Sequence, residues 1–168
     1  MPKTTNSRQS DSDSQRELLR HTVATLAYRG EKAIRQVPPG FADFNAGKGL
    51  RTPRQILAHM GDLMDWALST SRGQQKWVNS EPLPWDREEQ RFFGSLESFD
   101  DFLASAEPLQ APAERLFQGP IADALTHVGQ IAMLRHIAGE VLKAENYYVA
   151  EIEIGRVGAD QPQPKYEF

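Results

Sequence analysis

The chain of 168 residues fits one domain and is long enough to bury a core without a disulfide or a structural metal. Its 19 basic and 23 acidic residues leave a formal charge of −4, and no basic stripe stands out, which argues against nucleic acid as a partner. There are no cysteines, so a protein thiol nucleophile, a disulfide framework and cysteine-ligated zinc are excluded, and thiol chemistry would have to bring its own thiol.

Residues 1–13 read as a flexible lead-in ending in the cap-rich string Asp11, Ser12, Asp13 and Ser14. Met1 to Gln15 has no apolar segment, and no later run approaches the roughly 18 apolar residues of a membrane span. The expected partners therefore exclude a membrane, and the expected address is the cytoplasm. Leu19, Val23, Leu26, Ile34 and Val37 recur at helical spacings until Pro38, Pro39 and Gly40 stop the pattern, which predicts a first helix over about 15–36. Phe41 to Gly49 is a loop. Thr52, Pro53 and Gln55 then supply an N-cap, a first-turn proline and a capping-box partner for a second helix. Its stripe of Ile56, Met60, Leu63 and Ala67 has the 4-3-4 spacing of a bundle helix.

From Lys76 to Gly94 two tryptophans, two prolines and the Phe92-Phe93 pair show no clear period, and a long loop is expected. Ser95 and Ser98 offer caps for a third helix with Phe99, Phe102, Leu103 and Ala106 inward, ended by Pro108 and Pro112. Gly119 as cap and Pro120 as first helical residue open a fourth, whose inner face includes Ile121, Leu125, Val128, Ala132 and Ile137. The pattern fades after Gly139. These elements predict an all-α four-helix bundle over 14–160 with a C-terminal extension and a polar tail at 161–168.

The chemistry concentrates on three residues. Asp123 and His127 are four apart on the fourth helix, so their side chains point within about 40° of each other and stand about 6 Å apart along the axis. Two ligands on one helix do not close a three-point face, and His59 on the second helix is the residue placed to complete it. The set is a two-histidine, one-carboxylate face for a divalent ion such as zinc, nickel, iron or manganese, with positions open for water or substrate. Asp123 is also where a helix dipole favours an acid, and His59 beside an apolar stripe also suits a half-buried, hydrogen-bonded histidine. His136 lies nine residues, about 900° of rotation, beyond His127 and belongs to the surface; His21 has no partner at ligand spacing. Gln130, one turn past His127, suits a hydrogen bond to a ligand or a helix contact, and Trp66 suits a cavity wall or core packing. Trp77, Trp85, Phe92 and Phe93 would cover the site, fill a dimer interface or fold back on themselves. Tyr147 and Tyr148 are expected to dock with the tail.

The run from Gly119 to Gln130, together with Leu57, Ala58 and His59, resembles the DinB and YfiT-like superfamily, as does the closing stretch Glu145-Asn146-Tyr147-Tyr148 with Gly155-Arg156-Val157-Gly158. The likeness covers about residues 15–160. It implies a four-helix bundle, often a homodimer, with a divalent metal held by one side chain of helix two and two of helix four at i and i+4. Carried over, these are His59, Asp123 and His127. The sequence departs at Asp123, where many members have histidine; carboxylate can replace imidazole but lowers the net charge of the site. The resemblance further implies a metal-dependent enzyme acting on a small molecule, a transferase using a low-molecular-weight thiol or a hydrolase. The alternative is a non-catalytic stress-related or ligand-binding bundle with a vestigial or structural metal site.

Overall fold

The computed structural model describes residues 4–168, with side chains from Asp11 onward. The chain is all-α, and the described residues form no strand. Helices α1 (Thr4–Ile34), α2 (Pro53–Ser71) and α3 (Trp85–Ala104) are followed by the short α4 (Ala113–Leu116), a π-helical turn (Phe117–Ile121) and α5 (Ala122–Ile137), the last three running without a break. Four helical rods result. α1 packs on α3 and α5, and α2 on the same two, around one core that includes Val23, Leu26, Ile34, Leu57, Met60, Phe92, Leu96, Phe99, Ile121 and Ile131. Among the described residues no helix is long and apolar enough to cross a membrane.

The capping box forms as its residues dictate. Thr52 accepts from the Gln55 amide while the Gln55 side chain accepts from the Thr52 amide, and Pro53 occupies the first turn, where its missing N–H costs nothing. Helix boundaries elsewhere depart from expectation. α1 begins at Thr4, so the expected flexible lead-in is helical from that residue, and residues 1–3 lie outside the described ones. α3 begins at Trp85 rather than at Ser95, and the expected long loop shrinks accordingly. Phe92, Leu96, Phe99 and Leu103 recur at four, three and four and are all buried; that gain outweighs Gly94, whose helix penalty is only about 1 kcal/mol. α3 ends at Ala104, which leaves Ala106 exposed beyond it instead of on the inner face. Ile137 is exposed as well, since it closes the last turn of α5 past the end of the core.

The largest departure is at Pro120. The fourth rod starts at Ala113 behind Pro112, and Pro120 lies inside it, within the π turn, instead of opening it. A proline has no N–H for the helical ladder and its ring crowds the preceding turn; widening to a π turn relieves both, and the Ala122 amide reaches Phe117 O, five residues back.

Beyond α5 the chain returns along the bundle. Glu145 and Glu167 form an isolated antiparallel bridge, Val157 enters the core, and Lys32 of α1 bonds both Glu145 at 2.9 Å and Glu167 at 2.8 Å. Tyr28 donates its hydroxyl to Glu145, and Tyr147 stands edge-on to Tyr28 with Arg29 over its ring, whereas Tyr148 is fully exposed. Arg16 binds carbonyls at the C-terminal end of α3, and Arg20 forks onto Asp100 at 2.9 and 2.8 Å, so α1 is clamped to α3 by charge as well as by packing.

Candidate metal centre

α2 and α5 lie side by side, and their packing brings His59, Asp123 and His127 together. One donor atom from each lies within 4.8 Å of the others. His127 Nε2 is 3.4 Å from Asp123 Oδ1, His59 Nε2 is 3.7 Å from Asp123 Oδ2, and the two imidazoles meet edge-on with centroids 4.9 Å apart. Both carboxylate separations exceed the roughly 2.7–3.2 Å of an N–H···O bond. They are near the edge of a tetrahedron about an ion with bonds of 2.0–2.1 Å, which is about 3.4 Å. The two contacts run to different carboxylate oxygens and the three donor atoms lie within 4.8 Å of one another, so the group is one that could hold a divalent ion.

The protonation states suit the same end. His127 Nδ1–H donates to Gln130 Oε1 at 2.7 Å, since a carbonyl oxygen only accepts, and Nε2 is the ring nitrogen turned toward Asp123. Burial holds the His59 imidazole below its ordinary pKa, with Arg51 and His127 adding to the effect and Asp123 and Asp62 opposing it. Neutral imidazole is the ligating form. Asp123 is 48 % exposed against 10 % for the His127 side chain, so the carboxylate marks the open side of the triad.

The helix-dipole reading of Asp123 loses force here. The rod begins at Ala113, ten residues upstream, and the effect of free amides fades within the first turn.

Trp66 and Trp77 wall one side. The segment after α2 doubles back along it: Ser69 Oγ accepts from the Lys76 amide at 3.1 Å and Asp62 Oδ2 from the Ser80 amide at 3.0 Å. Between these anchors Trp77 stands edge-on to His59 at 5.6 Å and to Trp66 at 5.8 Å. Trp85 instead donates to Ile34 O and packs on Phe41, and Phe92 and Phe93 are core residues, so of these four aromatics Trp77 is the one that reaches the triad. A cavity of about 400 Å³ opens beside it, lined by Leu63, Trp66, Gly119, Asp123 and Thr126. His21 and His136 are exposed, and His136 Nε2 accepts from the Leu142 amide.

Two features behind the triad escape sequence reasoning. Arg91 of α3 binds Glu88 at 3.0 Å, Asp62 at 3.0 Å, Asp65 at 3.2 Å and the Ala58 carbonyl, which fixes the helical turn that carries His59. The pairs Asp62/Asp65 and Glu88/Arg91, each at i and i+3, are the signal, although in sequence they look like a solvated face. The second is a groove of about 690 Å³ on the other flank, between α5 and residues 46–51. Comparison of the chain with known protein families, with curated proteins and with solved structures finds no match in any of the three.

Proposed function

We propose that this chain is a divalent-metal-dependent enzyme acting on a small molecule, of the thiol-dependent S-transferase or hydrolase type, with His59, Asp123 and His127 as the ligands. The observation that carries the reading is the convergence of three donor atoms from two helices to within 4.8 Å. The resemblance to the DinB and YfiT-like superfamily supports it, on the same three residues. When bound, zinc, nickel, iron or manganese would supply Lewis acidity, lowering the pKa of a thiol or a water at its open positions.

The remaining work falls to side chains of the protein. Gln130 holds the His127 tautomer. Trp66 and Trp77 keep water from the α2 side of the triad. The exposed edge of Asp123 leaves the opposite side open to a substrate. The chain has no cysteine, so a thiol reactant must be a small molecule supplied from outside.

The test begins with cobalt- or nickel-substituted protein, to which bacillithiol, mycothiol and glutathione are added in turn. A thiol-to-metal charge-transfer band is expected with one of them, together with faster alkylation of that thiol by monobromobimane than in free solution. Hydrolysis of ester or amide substrates without any thiol effect would replace the transferase by a metal-dependent hydrolase. Neither activity, in protein that holds stoichiometric metal, would leave a non-catalytic metal-binding bundle.

A further inference from the structure

The groove on the flank of α5 has an unusual lining for a surface feature. One wall is a helical stripe, Thr126, Gly129-Gln130, Met133 and Ile137, at spacings of three and four. The other is formed by Ala46, Gly49, Leu50 and Arg51 ahead of α2. Its apolar residues are conspicuously wet: Leu50 and Met133 are 61 % exposed and Ile137 57 %. His127 lies in its floor, so the groove runs into the triad.

Arg51 is the one cation lining it and makes no ion pair with any described carboxylate, although the chain as a whole is acidic. With a divalent ion at His59, Asp123 and His127, the ion and Asp123 sum to one positive charge, and Arg51 adds a second. An anionic head at that end and an apolar body along the stripe would satisfy both features at once.

We propose that the groove binds a small amphiphile, its carboxylate seated at Arg51 next to the triad and its apolar chain laid along Leu50, Met133 and Ile137. The assignment names a substrate class for the metal-dependent reading above and rests on that reading for where the reacting end lies. Gly129 gives a clean way to test it. A Cβ added there meets nothing within 4 Å, so Gly129→Leu fills the groove without straining α5.

The experiment titrates the metal-loaded protein with butanoate, hexanoate, octanoate and octylammonium by calorimetry, with metal content measured in each sample. Affinity is expected to rise about two- to fourfold per added methylene. Octanoate should bind at least about tenfold more tightly than octylammonium, as a charge-assisted contact requires, and Arg51→Gln should shrink that preference, leaving only the part owed to the ion. Gly129→Leu should weaken octanoate at least about tenfold with metal content unchanged. Octanoate that binds no better than butanoate, equal binding of the two head groups, or indifference to Gly129→Leu would each overturn the assignment. So would a dimer that Gly129→Leu splits, with octanoate binding unaffected, because the groove would then belong to a second copy. Protein that holds no metal yet shows the expected octanoate series would overturn the metal reading and leave the groove assignment standing; full metal with no octanoate series would do the reverse.

Discussion

The Nδ1–H of His127 donates to the side-chain oxygen of Gln130 at 2.7 Å, across one turn of α5. The bond decides which ring nitrogen keeps its lone pair, and partners of this kind typically carry a 10–100-fold effect on metal affinity. Gln130→Leu should therefore weaken metal binding about 10–100-fold, measured by competition with a chelator, with unchanged helical circular dichroism. Gln130→Glu, which keeps the acceptor, should bind at least as well as the parent. Parental affinity in the leucine variant would show that the bond does not govern the ligand.

Alanine at His59 or at His127 should abolish stoichiometric metal, read by elemental analysis of protein purified without a metal-binding tag. The double change Asp123→Ala with His127→Ala should keep the fold, since the core is built from other residues. Full occupancy in both single variants would remove the site.

Asp123 separates ligation from helix electrostatics. Asp123→Asn should weaken metal binding well over about tenfold while altering apo stability by no more than about 0.5 kcal/mol, as expected of an exposed position ten residues into a rod. Asp123→His should restore binding. A histidine variant without affinity for any of the four metals would argue that the carboxylate stands beside the imidazoles for another reason.

Gly61 lies against the guanidinium of Arg91, and a Cβ there would come within 2.8 Å of Arg91 Cζ. The guanidinium has little freedom to retreat, being bonded to Glu88, Asp62, Asp65 and the Ala58 carbonyl. Gly61→Ala should therefore destabilise the protein by about 2 kcal/mol despite a helix-propensity gain of about 1 kcal/mol. Arg91→Ala should cost about 3 kcal/mol, because Asp62 and Glu88 stay buried without their cation. Urea denaturation measures both, and an alanine at Gly61 that stabilises would mean that α3 shifts freely.

The tail should loosen in alkali. Burial and the bond to Glu145 raise the Tyr28 phenol above its ordinary pKa; burial lowers that of Lys32, but its bonds to Glu167 and Glu145 outweigh burial and raise it overall. Above about pH 10 the unfolded chain gives up protons that the folded chain keeps, so both groups make stability fall as pH rises. The urea midpoint should drop from about pH 10 upward, and Tyr28→Phe should flatten part of that fall. A parent midpoint level across this range would contradict the linkage.

What could be read in the sequence followed from local rules. The Thr52/Gln55 box, the α2 stripe and the i, i+4 pair on α5 each depend on residues within one turn or two, and all three stand in the structure. The start of α3 was hidden because Gly94 interrupts the run by eye although it costs little in energy. The buried carboxylates Asp62 and Glu88, with the half-buried Arg91 between them, cannot be told from a solvated face until α2 meets α3. Trp77 is the sharpest case: its place over His59 depends on two side-chain anchors, Ser69 and Asp62, that hold backbone amides of the following segment. The meeting of His59 with α5 was inferred, since spacing orders ligands within a helix and says nothing of distance between helices.

The π turn at Phe117–Ile121 also sets a phase. Leu116 and Ile121, five positions apart, are both fully buried, whereas five residues of regular α-helix leave a phase difference of about 140°. The turn thus works as a vernier between the segment that anchors the rod and the segment that bears Asp123 and His127. Deleting one residue within it would swing the two carriers by about 100° around the helix axis relative to the anchor. The aim of the triad is accordingly recorded in the number of residues between Leu116 and Ala122, as much as in the identity of the side chains that converge.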